Sequence, residues 1–166
     1  MSDRILELTT GAVVVLVALA YLAVRAWRGR VIAHDKLIGD LPDAFNLGQA
    51  DSFDGFYVAT TLADKPLERL IGAGLAHRGR ASVRVSAAGI VIDRTGEATI
   101  FIPRAQIVAV SAQSAVIDRA VEANGLAALR WSNNGNEFET FLRMTSADAH
   151  RAIASEFSKQ SSKERR

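Results

Sequence analysis

Cysteine is absent from the chain, which removes disulfides and thiolate zinc sites from consideration and leaves nothing that answers to the redox state of its compartment. An excess of positive charge is missing as well. The formal net charge is +2, and it resides in the first thirty residues, where Arg4, Arg25, Arg28 and Arg30 outnumber Asp3 and Glu7. From Val31 onward, 16 basic and 16 acidic side chains cancel. A domain so balanced has no field to gather nucleic acid, which ordinarily requires a clustered basic face.

Catalytic signatures are lacking too. His34, His77 and His150 are far apart and none stands in a HExxH or paired-ligand spacing, so no metal site is expected. Neither GxSxG nor a P-loop occurs, and Gly72-Ala73-Gly74 lacks the third glycine and the preceding strand of a dinucleotide site. These glycines suit a loop or a close packing contact. The pattern points to a protein that is not an enzyme and needs no cofactor.

What the chain does contain is one long apolar run. Leu8 to Val24 carries no charge and is mostly Val, Leu and Ala. As a helix it covers about 26 Å at 1.5 Å per residue, against a bilayer core of about 30 Å. Glu7 and Arg25 therefore have to direct their heads to the interfaces, and Tyr21 and Trp27 favour the headgroup layer at the inner end. Arg25, Arg28, Arg30 and Lys36 follow the run while only Arg4 precedes it, so the positive-inside rule puts the C-terminal part in the cytoplasm and residues 1–7 outside the plasma (inner) membrane. A cleaved signal peptide is the rival reading, because Ala18-Leu19-Ala20 resembles a small-residue cleavage site. Asp3 and Glu7 in the n-region and three arginines after the cut oppose it. A buried core helix would have to hide apolar surface on all sides in a very small domain. A single-pass anchor over 8–27 is the expectation.

Residues 28–54 read as a stalk and acidic linker. Helical spacing continues through Val31, Ile32 and Ile38 to the stop signals Gly39 and Pro42, and five acids from Asp35 to Asp54 face one Lys36. Such a segment would be repelled by an anionic membrane surface. Beyond it the period changes to two. Phe56, Val58, Thr60 and Leu62 alternate with Tyr57, Ala59 and Thr61, and further strands are expected at Ala81–Ser86, Ile90–Arg94, Ala98–Ile102, Gln106–Ser111, Leu126–Ser132 and Phe138–Met144. Asn134-Gly135 is the strongest hairpin signal, with Thr95-Gly96 and Ala88-Gly89 as further reversals, so the sheet should be antiparallel. A helix is expected from Pro66 through Leu75, capped by Asp64, and a firmer one from the Thr145 and Asp148 capping box through Ala149, Ile153 and Phe157. The tail 158–166 is basic and polar.

Seven antiparallel strands closed by one C-terminal helix is the order of elements in pleckstrin-homology (PH)-like domains, and the pattern over 55–157 resembles the bacterial PH-like group. Ile102-Pro103-Arg104-Ala105-Gln106-Ile107-Val108-Ala109-Val110 is similar to the strand, turn and strand in the middle of those domains. The whole chain also resembles small bacterial membrane proteins with one N-terminal helix and a PH-like domain, some labelled transporters or export proteins. The matching residues are Gly55 to Thr61, Glu68-Arg69, Gly74 to Arg80, Ile102-Pro103, Leu129-Arg130-Trp131 and Thr140 to Arg143. The resemblance implies a seven-stranded sandwich or barrel, and a domain that binds rather than catalyses.

His77, Arg78, Arg80 and Arg84 occupy the loop and strand that in phosphoinositide-binding PH domains present basic side chains to phosphates, with Arg80 and Arg84 on one side of the strand. They make an anionic-lipid or partner patch, against the plainer reading of ordinary surface arginines. Tyr21, Arg25, Trp27, Arg28 and Arg30 are the expected membrane-interface anchors. Glu137 and Glu139 read as the solvent face of an edge strand, and Trp131 as core or the rim of a groove. The expected partners are the bilayer and a protein at the membrane, with peptide addition at a sheet edge as one mode.

Overall fold

The computed structural model describes residues 2–43, 50–113, 115–116, 119–120, 126–146 and Ile153. A single helix, α1 (Ser2–Ile38), opens the chain, and its residues from Leu8 to Arg30 are exposed all round. It is long and apolar enough to cross a bilayer. Gly39, at φ +72°, ends it by donating its N–H to the Asp35 carbonyl at 2.8 Å, a left-handed stop that a residue without Cβ adopts cheaply.

Strands follow in antiparallel pairs: β1 (Asp51–Leu62), β2 (Lys65–Arg69), β3 (Gly79–Ser86), β4 (Gly89–Arg94) and β5 (Ile100–Pro103), then β6 (Ile107–Gln113), β7 (Ala115–Val116), β8 (Arg119–Ala120), β9 (Leu126–Asn133) and β10 (Asn136–Met144). The main sheet runs β5-β4-β3-β1-β10-β9-β6, with β2 attached to β1, and β7 pairs β8 separately. The expected antiparallel order is present, with eight strands in the sheet rather than seven. Edge strands β5 and β6 do not pair with each other, so the sheet is open rather than a closed barrel.

The main core lies on one face, and Val91 and Phe101 form a smaller buried pair apart from it. Tyr57, Val83, Ile92, Ile102, Ile107, Leu129, Trp131, Phe138 and Leu142 belong to a single buried cluster to which both ends of the sheet contribute, so the sheet wraps around its own apolar side. A bulge between Tyr57 and Ala59 lets Tyr57, Thr60 and Leu62 share that side. Ile153, helical and buried in the same cluster, is the described residue of the expected C-terminal helix; the rest of that helix and the tail lie outside the described residues.

Three expectations change. Residues 65–69 are a strand and 70–78 a tight loop, not a helix: Pro66 fits an edge strand, and Ala73 and Gly74 take φ of 49° and 72°, which no helix allows. Strand β10 lies between β1 and β9, so Glu137 and Glu139 are not on an edge. The segment read as stalk and linker divides, because Ile38 is fully buried in the core and β1 already begins at Asp51.

Candidate functional site

The end of α1 is built into the domain by side chains of the β9–β10 hairpin and by backbone N–H groups of the loop after β2. Helices leave their last carbonyls without intrahelical donors. Here the β9–β10 hairpin supplies them: Asn134 Nδ2 donates to the Lys36 carbonyl at 2.9 Å, Asn136 Nδ2 to Leu37 at 3.0 Å, and Asn133 Nδ2 to Ile38 at 2.8 Å and Asp40 at 3.1 Å. Gln106 holds Asn133 in place by donating to its Oδ1 at 3.0 Å. From the loop after β2, the Ile71 N–H donates to His34 Nδ1 at 3.0 Å and the Ala73 N–H to the Asp35 carboxylate. Gly72 lies so close to the helix that a Cβ there would come within 2.6 Å of the Asp35 nitrogen. The end of the sheet framed by the 70–78 loop, the 95–99 loop and the hairpin at 134–135 is thus occupied by the chain's own helix terminus.

Several interior polar groups nearby pair with one another. Trp131 Nε1 donates to Thr140 Oγ1 at 2.9 Å, Thr140 and Thr60 hydroxyls meet at 2.8 Å, and the Tyr57 hydroxyl lies 2.9 Å from Thr60 and 3.1 Å from the Leu75 carbonyl. The phenolic O–H is the donor toward both Thr60 Oγ1 and the Leu75 carbonyl, and the two threonine hydroxyls continue the network to the Trp131 N–H, so four side chains share one buried set of hydrogen bonds. Burial holds the Tyr57 phenol above its ordinary pKa, opposed by the Thr60 bond and by Arg94. Arg94 is itself buried, with its guanidinium donating to the Gly74 and Ala98 carbonyls at 2.6 Å each and its carbon 5.0 Å from the Tyr57 ring centroid. Desolvation pulls its pKa down, while Tyr57 and Glu97 oppose. This cation ties the two loops together.

Of the basic residues singled out in the sequence, Arg80 and Arg84 share the outward side of β3, and His77 and Arg78 lie in the loop before it. Arg84 donates twice to Asp93 Oδ2, at 3.0 and 2.7 Å, and Thr99 occupies the other Asp93 oxygen at 2.7 Å. His77 is 3.9 Å from the Glu97 carboxylate, and Arg78 is exposed in the loop before β3. Arg80 is exposed on the outer face of the sheet, level with Phe56 on β1, which in turn is level with Arg143 on β10. Neither Arg80 nor Arg143 has an ion pair or hydrogen-bonded side-chain partner among the described residues. Phe56, 41% exposed between them, borders a cleft of about 430 Å³ lined also by Asp54, Gly55, Arg80, Ala81, Thr95 and Thr145. Phe56 and Arg143 escape sequence reading because 87 positions separate them; only the register of β1 on β10 makes them neighbours.

The carboxylate pair is also separated in role. Glu137 accepts both Nε and Nη2 of Arg130, whereas Glu139 is half-buried and its carboxyl is pushed up by desolvation, with Arg130 opposing. Trp131 is fully buried, 4.7 Å from the Phe138 ring. Among the described residues no group of three His, Asp or Glu side chains is placed to hold a metal. On α1, Tyr21, Arg25, Trp27, Arg28 and Arg30 are all exposed, and Tyr21, Arg25 and Arg28 border a shallow groove over Gly29.

No curated protein matches the chain. The sequence profile described as Bacterial PH domain-like matches residues 34–158, beginning at the turn of α1 that enters the core. With three quarters of its length matched, the chain belongs to the bacterial PH domain-like family.

Proposed function

We propose that this protein is a membrane-anchored binding module, non-enzymatic, whose PH-like domain faces the cytoplasm and engages a protein partner or the inner leaflet. One observation carries the reading: α1 exposes Val13, Leu16, Leu19, Leu22 and Val24 around its whole circumference, yet its last turn is part of the domain core. Fully burying one such side chain is worth about 1.5 to 3 kcal/mol, so a helix apolar on every side calls for lipid around it. The domain then sits directly at the end of its anchor.

The test uses the absence of cysteine. Single cysteines placed at Ser2 and at Ser132 are to be challenged in intact cells with a membrane-impermeant maleimide, alongside alkaline carbonate extraction. Retention in the membrane pellet with labelling at Ser2 alone is expected. Labelling at Ser132 instead, or release from the pellet, contradicts the reading.

An accessory subunit of a membrane transport or export complex is the second reading, and the joint at Ile38 favours it, because any helix bound sideways to α1 would be coupled to the domain without slack. Exchanging Leu8 to Val24 for an unrelated apolar span separates the two. Preserved function favours the domain, and lost function favours the helix.

A further inference from the structure

Several surface charges of the domain are paired within it: Arg84 with Asp93, Arg130 with Glu137, Lys65 with Glu68. Arg80 and Arg143 are different. They occupy the same row of three adjacent strands with Phe56 between them, and the cleft beside that row gives a ligand somewhere to enter. Two cations flanking an exposed aromatic at cross-strand spacing offer a ligand two charge-assisted contacts and an apolar one at the same time.

From this row we infer a binding site for an acidic, aromatic-bearing peptide segment of a partner protein, a proposal that rests on the binding-module reading and specifies its ligand. Strands are about 4.8 Å apart, so the two arginines are separated by about 10 Å, with the Phe56 ring midway. Glutamates three residues apart in an extended, polyproline-like peptide at about 3.1 Å per residue present carboxylates at nearly that distance, and an apolar residue between them meets the ring. Guanidinium groups suit planar carboxylates through paired hydrogen bonds. Asp54, on the same outward face two residues from Phe56, sets the sign of what lies beyond the row and disfavours a longer run of acid.

Two other anionic ligands fit less well. The helix joins the domain at the Leu62 and Asn134 end of the sheet, and the row lies six residues back along β1, about 20 Å at 3.3 Å per residue, so a bilayer meets the other end first. Nucleic acid calls for a broad basic field, and the charges after Val31 cancel.

The experiment uses the full chain in nanodiscs of zwitterionic lipid and a dye-labelled peptide with two copies of Glu-Phe-Pro-Glu, followed by anisotropy. Saturable binding is expected, weakened at least tenfold by Arg80→Ala, Arg143→Ala or Phe56→Ala and strengthened by Asp54→Asn. All are exposed positions, so an unchanged melting temperature checks the fold. Should an alanine variant lose stability, Arg80→Glu with Arg143→Glu is to be tested against a Lys-Phe-Pro-Lys peptide, where preference must reverse. No saturation up to millimolar peptide, equal affinity in every variant, or stronger capture of oligothymidine or of anionic vesicles through the same arginines overturns the assignment. Membrane retention and cysteine labelling are read separately, so failure here leaves the anchored-module reading standing, and failure there does not touch this measurement.

Discussion

Asn133 and Asn136 each donate a side-chain amide to the end of a helix more than ninety residues away in sequence. Asn136→Ala removes its bonds to the Leu37 and Asn134 carbonyls and Asn133→Ala removes those to Ile38 and Asp40 together with the one accepted from Gln106, so losses of about 1 kcal/mol or more are expected in chemical denaturation, the larger at Asn133. Asn134 is less informative, since at its φ of 48° replacement by Ala adds backbone strain to the lost hydrogen bond. Thr140 is deeper: Thr140→Val strands the Trp131 N–H and breaks the hydroxyl chain at its centre, with an expected cost of about 1 to 3 kcal/mol. Glu139 carries a pH signature of opposite sense. Its carboxyl is raised in the folded state, so the folded protein keeps a proton that the unfolded chain has already released, and stability falls as pH climbs through the folded pKa. Glu139→Gln should therefore raise the denaturation midpoint at pH 7 to 8, with that gain vanishing below the ordinary glutamate pKa of about 4.3. A gain of equal size at both ends of the range would show that its cause is not titration.

At the scale of elements, the decisive contact is α1 against the loop that follows β2. Leu67, Leu70, Ile71 and Leu75 have helical spacing, but the register of β1 on β2 captures Lys65 to Arg69 as an edge strand, and the Leu70 N–H donates to the Thr60 carbonyl. Leu67 consequently stands 81% exposed while Leu70 and Leu75 enter the core. The glycines that weaken a helix here have a positive reason. Gly72 admits the helix backbone, and Gly72→Ala sets a Cβ within 2.6 Å of backbone and side chain at Asp35. Overpacking of that kind costs about 1 to 3 kcal/mol, and relief comes most directly from parting the two elements. Limited proteolysis between residues 36 and 43 is expected to accelerate in that variant, and an unchanged cleavage rate would mean that the joint absorbs a methyl group.

For the molecule as a whole, the boundary between the exposed apolar run and the packed domain lies inside α1. A chain lacking residues 1–30 keeps His34, Asp35 and Ile38 and should fold with nearly full stability, whereas one lacking residues 1–43 loses Ile38 from the core together with the groups the asparagines cap. Removal of one fully buried isoleucine side chain alone costs about 2 to 5 kcal/mol, so the shorter chain should melt far lower or fail to fold. Equal melting temperatures for the two would show that the helix terminus is an ornament on a domain complete without it.

Composition and periodicity alone determined that an apolar helix precedes a domain of antiparallel strands, because the period of 3.6 or 2 and the Asn134-Gly135 turn are local properties that no distant contact has to supply. They also placed Arg80 on an outward face, since alternation along a strand is local. Tertiary structure decided which neighbours those residues have: that Arg84 is spent on Asp93, that Arg80 shares a row with Phe56 and Arg143, and that Ile38 ends a helix inside the core. Strand pairing and core burial join positions tens of residues apart, and the free energy that selects one register over another is a property of the whole packed sheet, not of any window along the chain.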